Sequence, residues 1–175
     1  MTQAPDLSGF TKEEIKEIIK DVRHPFEVAV YDSSNYFNMG SIIRTSHNFL
    51  AGKIHAVNLN DFYGPAASVS KKFEDINYIS LEEFIKSHSG RSIVAMERRP
   101  PDLKSEDLRT FVWPESPIMF FGSEKFGCPD EILNVASSVV SIPMFGLIND
   151  FNVAVASGIV MYDWVSKFYT NGKKM

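Results

Sequence analysis

Three stretches of this 175-residue chain carry residue types suited to chemistry. The first is Asn35-Tyr-Phe-Asn-Met-Gly-Ser-Ile-Ile-Arg-Thr-Ser, ending at Ser46. Asn38 and Gly40 read as turn and helix-start residues, while Ile42, Ile43, Phe49 and Leu50 form an apolar stripe at helical spacing. Arg44 falls off that stripe, either as a solvated helix arginine or as a cation at the polar mouth of a site. The second is Ile118-Met-Phe-Phe-Gly-Ser-Glu-Lys-Phe-Gly, ending at Gly127: a buried strand running into a glycine turn with one carboxylate, Glu124. Glycines there let a ligand approach the backbone closely. Gly122 and Gly127 are spaced like a phosphate loop, but no Lys-Ser/Thr pair follows, which argues against Walker-type nucleotide binding. A plain turn with an exposed Glu124 is the alternative. The third runs from Val140 to Gly158, with Pro143 after a strand, Gly146 in a loop, and Asn149 or Asp150 placed to cap a long helix. Ala154, Ala156, Ser157 and Gly158 allow close packing against another segment or a cofactor.

All three stretches follow apolar runs that read as strands. Six such runs are expected, at Glu27–Tyr31, Ile54–Asn58, Asn77–Ser80, Ser92–Glu97, Ile118–Phe121 and Val139–Ile142. Helical patterns fill the gaps at Ser41–Leu50, Ala66–Phe73, Leu81–His88, Asp130–Ala136 and Asn152–Phe168, after an opening helix at Thr11–Val22. The opening helix has Glu13 and Glu14 in its first turn and an apolar face of Ile15, Ile18, Ile19 and Val22, which with its charges favours covering a sheet edge. Gly52 suits a helix C-terminus and Pro129 a first helical position. The alternation predicts an α/β fold: a mostly parallel sheet with helices on both faces. Ligands of such sheets bind beyond the carboxyl ends of the strands, where the three stretches lie.

Composition narrows the function. With 44% hydrophobic residues, 14 Phe, 6 Tyr and 2 Trp, the chain has material for one full core. The single cysteine, Cys128, excludes an internal disulfide framework and a multi-cysteine zinc site. His24, His47, His55 and His88 show no metal-ligand spacing, so no metal is expected. No apolar run reaches the ~20 residues of a membrane span and none resembles a signal peptide, so a soluble, cytoplasmic protein without membrane contact is expected. Eighteen basic against 22 acidic residues, a net charge of −4, argue against coating nucleic acid non-specifically but not against a local basic patch.

Taken together, the three stretches resemble the motifs of the SpoU (TrmH-like) branch of the SPOUT RNA 2′-O-ribose methyltransferases. Asn38, Gly40 and Arg44 match the first motif. Gly122, Glu124 and Gly127 match the Gly-x-Glu-x-x-Gly of the second. Ile142-Pro143-Met144, Gly146 and Asn152-Val153-Ala154-Val155-Ala156 match the third, which departs at Asp150-Phe151, where the family usually has Ser-Leu. The resemblance covers roughly residues 26–168.

It implies a single domain over 1–175, with a helical N-terminal extension at 1–25 and a deep trefoil knot over 117–168. It implies S-adenosyl-L-methionine as cofactor, held by Met96, Glu97, Gly122, Ser123, Glu124, Ile142, Met144, Leu147, Asn152 and Ala154. The reaction implied is methyl transfer to a ribose 2′-hydroxyl, with tRNA the first substrate choice and a non-catalytic or rRNA-directed RNA-binding relative the alternative. Arg44, reaching over from the partner of a homodimer, would be the main catalytic residue, with Asn38 on the RNA-facing surface, Glu124 ordering the loops and Asn152 bridging cofactor and active site. RNA contact is expected from Arg44, Lys53, Lys71 and Lys72, and from Arg91, Arg98-Arg99 and Lys173-Lys174. Val153, Val160, Met161, Trp164, Val165 and Phe168 offer more apolar surface than one sheet face covers, which points to the dimer. Asp150 is expected to cap the last helix, to pair with Arg44 of the partner subunit, or to repel RNA phosphate.

Overall fold

Strands buried on both faces read as continuous apolar runs, and they form a sheet only when helices cover both sides. β1 (Glu27–Tyr31), β2 (Lys53–Val57), β4 (Ile93–Met96) and β6 (Ile118–Phe121) are such runs, and every residue of β6 is buried. With β3 (Ile76–Ile79), β5 (Glu106–Asp107) and β7 (Ser138–Ser141) they make a seven-stranded sheet, ordered β3-β2-β1-β6-β4-β7-β5. Every neighbouring pair is parallel. The computed structural model describes residues 8–32, 35–98, 104–147, 150–170 and 173–174.

The helices take opposite sides. α2 (Tyr36–Asn48), α3 (Gly64–Ala67) and α6 (Val153–Phe168) bury Met39, Ile42, Ile43, Ala67, Val160, Met161 and Trp164 against Phe26, Val28 and Val30. α4 (Leu81–Ser87) and α5 (Asp130–Val135) bury Phe84 and Ile132 against Ala29, Ala95 and Phe120 on the other face. Trp164 anchors α6: its ring lies 4.9 Å from Phe26 and 4.7 Å from Phe168, and Nε1 donates to the Pro114 carbonyl at 3.3 Å. Among the described residues no helix is long and apolar enough to cross a membrane.

The departures from the expected elements have local causes. α2 begins five residues before the expected Ser41, because the Asn35 side chain accepts from the Phe37 amide at 3.0 Å and caps it. Asn38 and Gly40 are therefore helical rather than turn residues. A Cβ at Gly40 would sit 2.6 Å from the Tyr63 carbonyl oxygen, so glycine there lets α2 and α3 pack backbone to backbone. Beyond α2 the left-handed residue is Leu50 (φ 52°), not Gly52. The expected helix over Ala66–Phe73 is broken at Ser68 (φ 54°) into α3 and a 3-10 turn, Ser68–Lys72, whose Ser70 hydroxyl donates to the Ala67 carbonyl. Pro129 is the N-cap of α5, one residue earlier than expected. β5 and the terminal hairpin of β8 (Tyr169–Thr170) with β9 (Lys173–Lys174) were not foreseen; two-residue strands carry no periodicity.

α1 (Lys12–Val22) has the expected start: Thr11 and Glu14 form a reciprocal capping box. Its apolar face is barely used, since only Ile19 is buried and Val22 is 53% exposed. Lys16 ties it to Asp75, just before edge strand β3, at 2.7 Å.

Candidate active site

The strand order reverses direction between β1 and the β6-β4 pair, and a reversal of this kind opens a crevice at the carboxyl edge of a parallel sheet. A cavity of about 600 Å³ lies there. Met96 and Glu97 from the end of β4, Gly122, Ser123 and Glu124 after β6, and Ile142 and Met144 after β7 line it. Asn35 and Asn38 at the start of α2 and Asn152 at the start of α6 complete the wall.

Three polar side chains join these loops in a directed chain. Asn152 Oδ1 accepts from the Ala154 amide at 3.0 Å and the Val155 amide at 3.4 Å, which caps α6. Its Nδ2 donates to Asn38 Oδ1 at 3.0 Å, and Asn38 Nδ2 donates to Glu124 Oε1 at 2.5 Å. Asn38 is 5% exposed, so this chain is held in a low-dielectric setting where an unmade bond is costly. The motifs read separately in the sequence are thus one hydrogen-bonded unit.

The turn after β6 closes on itself. The Ser123 amide donates to the Gly127 carbonyl at 3.0 Å, and the Gly127 amide returns a bond at 2.9 Å. A Cβ on Gly122 would lie 2.1 Å from the Gly127 carbonyl carbon, and Gly127 itself has φ 71°. Both glycines therefore serve the turn, and both also line the cavity. Glu97 clamps this turn to β4: one oxygen accepts from the Cys128 amide at 2.6 Å, the other from the Arg98 amide at 2.8 Å.

The other expected residues lie elsewhere. Arg44 is exposed on α2, outside the cavity wall, and its side chain makes no hydrogen bond or ion pair with another described residue. Leu147, 101% exposed, and Ala154 are also absent from the wall. Lys71 lies beside Gly64 near the start of α2, and Lys72 is exposed beside it. Lys53 opens β2 in register with Glu27, at the amino edge of the sheet, away from the cavity. Arg91 is at the same edge, paired with Glu27 at 3.0 Å. Arg98 lines the cavity; Arg99, Asn149 and the side chains of Lys173 and Lys174 lie outside the described residues. Asp150 does not cap α6, because Asn152 does; it lines the cavity with Phe151. Val153, Val160, Met161 and Trp164, expected in a dimer interface, are buried in this chain's own core.

Asn35, Val140, Ser141 and Val153 line the cavity without having been singled out for it, and Ala156, one of the small residues expected near a cofactor, lines it too. Their one sequence signal is position, at strand ends and helix starts on the carboxyl edge.

Residues 25–162 match the SpoU rRNA Methylase family. The chain belongs to that family. A curated relative, the tRNA (guanosine(18)-2'-O)-methyltransferase of Borreliella burgdorferi, is 40% identical over 132 residues, covering 71% of this chain and 59% of the relative. The AdoMet-bound rRNA methyltransferase from Sinorhizobium meliloti superposes with TM-score 0.72 and 25% identity, over 87% of this chain and 61% of that one. The A. aeolicus TrmH/SpoU tRNA modifying enzyme superposes at 0.75 with 21% identity, over 87% and 79%. This SpoU-family chain thus spans about three fifths of the length of the first two.

Proposed function

We propose that this SpoU-family chain is an RNA methyltransferase that moves a methyl group from S-adenosyl-L-methionine to a ribose 2′-hydroxyl, with tRNA as substrate. The observation that carries this reading is the cavity at the strand-order reversal, walled by all three motif stretches and braced by the Asn152–Asn38–Glu124 chain. Its volume of about 600 Å³ suits a small cofactor, and Glu97, Glu124 and Asp150 put carboxylates around a space for a cationic ligand. The name of the Borreliella relative supports tRNA and the 2′-hydroxyl; the AdoMet in the Sinorhizobium structure supports the cofactor.

Bound there, S-adenosyl-L-methionine supplies an activated methyl group on a sulfonium. Met96, Glu97, Gly122, Ser123, Glu124, Ile142, Met144 and Asn152 line the cavity and would hold it. The chain must then align the 2′-oxygen with the methyl carbon and stabilise the charge that develops as its proton leaves. Arg44 of the partner subunit takes that role in a homodimer, since Arg44 lies outside its own chain's cavity. A guanidinium delocalises its charge and holds its protons tightly, so it serves as an electrostatic clamp on the oxygen and adjacent phosphate rather than as a base. Lys71 and Lys72 extend the RNA surface. Exposed apolar residues at and along α6 suit a dimer contact: Phe151, Val155 and Tyr162, the last two one heptad apart on the helix. The reading includes a single cytoplasmic domain over 1–175 with its extension at 1–25. It also includes a knot over 117–168, which the insertion of β6 between β1 and β4 supports.

Methyl-labelled S-adenosyl-L-methionine and bulk tRNA test the proposal. Label should appear in 2′-O-methylnucleotides after digestion, and the protein should sediment as a dimer. Cofactor binding without transfer to any tRNA or rRNA would make the chain a non-catalytic RNA-binding relative.

A further inference from the structure

At the amino edge of the sheet, away from the cavity, side chains from three separate elements converge. Glu27 opens β1, His55 lies within β2, and His88 directly follows α4. One potential ligand atom from each lies within 4.8 Å of the other two. The His55 side chain is fully buried and that of Glu27 is 15% exposed, while His88 is 9% exposed. The cluster is thus internal, with access to solvent past Glu27 and His88.

The hydrogen bonds set which atoms are available. His88 Nδ1 lies 2.8 Å from the Phe84 carbonyl oxygen, which only accepts, so the neutral ring is protonated at Nδ1 and keeps its lone pair on Nε2. His55 Nε2 lies 2.7 Å from Glu27 Oε2, and its Nδ1 lies 3.0 Å from the Asn77 side-chain amide. That amide offers an N–H or, turned over, a carbonyl oxygen, so it serves either tautomer of His55. The second carboxylate oxygen, Glu27 Oε1, accepts from Arg91 at 3.0 Å. Each candidate ligand therefore already has an outer partner: a backbone carbonyl, a side-chain amide and a guanidinium. Metal-binding histidines and carboxylates are oriented by contacts of this kind.

We propose that Glu27, His55 and His88 form a binding site for one zinc-type divalent transition-metal ion. Two imidazole nitrogens and one carboxylate oxygen suit that class, with water as fourth ligand. On binding, the single proton of neutral His55 shifts from Nε2 to Nδ1, and the Nδ1–H donates a hydrogen bond to the Asn77 side-chain carbonyl, so the imidazole remains neutral. Around the ion the ligand atoms lie roughly 3.3 Å from one another, the edge of a tetrahedron with 2.0–2.1 Å bonds, so His55 Nε2 and Glu27 Oε2 open from 2.7 Å as the ion enters between them. The ion clamps β1, β2 and α4 together and takes no part in methyl transfer, which belongs to the other edge of the sheet. Four histidines without motif spacing did not announce it, because the ligands come from three elements distant in sequence.

Tag-free protein stripped with a chelator tests the site. Zn²⁺ should bind at one equivalent per chain by calorimetry, and Co²⁺ should give the intense visible bands of tetrahedral coordination. Glu27→Gln and His88→Gln should each weaken Zn²⁺ binding by at least ~10-fold, while His24→Gln binds as wild type does. Imidazole-nitrogen NMR of the wild type gives a reading independent of variant folding, with Zn²⁺ moving the His55 and His88 resonances. No saturable binding below millimolar Zn²⁺, binding indifferent to both substitutions, or shifts at His24 or His47 instead would overturn the proposal.

Discussion

The two edges of the sheet use polar residues in opposite ways. At the carboxyl edge, uncharged amides do the holding: Asn152 and Asn38 pass a hydrogen bond between loops and end it on Glu124, around an open cavity. At the amino edge, titratable groups hold one another beneath solvent, as His55, Glu27 and Arg91 do beside Phe84. There, burial pushes the Glu27 carboxyl up, but hydrogen bonds and charge from His55 and Arg91 outweigh it and bring it down to about 2. The lesson concerns directionality. A site for a molecule needs fixed donors and acceptors with room left over, while side chains that bond one another this closely leave space for a single ion.

That contrast is open to test. The largest effect should come from the amino edge: Phe84, fully buried against His55, His88 and Phe120, is core. Phe84→Ala should lower the unfolding free energy by about 3–5 kcal/mol in denaturant melts. The folded fraction should still bind cofactor with wild-type affinity, and a cofactor defect of similar size would merge the two edges into one unit.

Arg44→Ala should do the reverse. The Arg44 side chain is exposed and makes no hydrogen bond or ion pair with described residues, so melting and cofactor binding should stay as in wild type. Methyl transfer should fall by at least ~100-fold, the loss of one transition-state contact. Transfer within a few-fold of wild type would remove Arg44 from the mechanism.

Asp150→Ser restores the residue usual in the family to the cavity wall. Because Asn152 rather than Asp150 caps α6, the change tests a charge and leaves the helix start alone. RNA affinity or turnover should change by less than ~10-fold, about 1.4 kcal/mol, in steady-state assays.

The smallest effect is a pH slope from His24, which lies against Phe26 and Trp164 just before β1. Burial lowers its pKa from 6.5, so the unfolded chain binds its proton first on acidification. Its contribution is complete above the unfolded value and is lost as pH falls from about 6.5 through the lower folded value. In chelator-treated protein, stability measured by denaturant melts should drop more steeply below that point in wild type than in His24→Gln.

By itself the sequence determined a good deal: the strand–helix alternation, six of the strands to within a residue at each end, and the three stretches that meet at the cavity. These are legible because apolar period, caps and turn glycines act over a few residues. Asn38, Glu124 and Asn152 were named from motifs, and the structure joins them. Tertiary structure alone decided the rest. It inserted β6 between β1 and β4, because non-local strand pairing leaves no local pattern. It assigned Gly40 to helix packing and Gly122 to the turn, because close approach depends on what lies opposite. It turned the apolar face of α6 inward, because buried area depends on neighbours that only the fold supplies. It set Lys53 at the far edge of the sheet, since strand direction decides which end of a strand meets the site. And it gathered Glu27, His55 and His88 from three elements, because neighbouring strands and their helices bring distant residues within ångströms of one another.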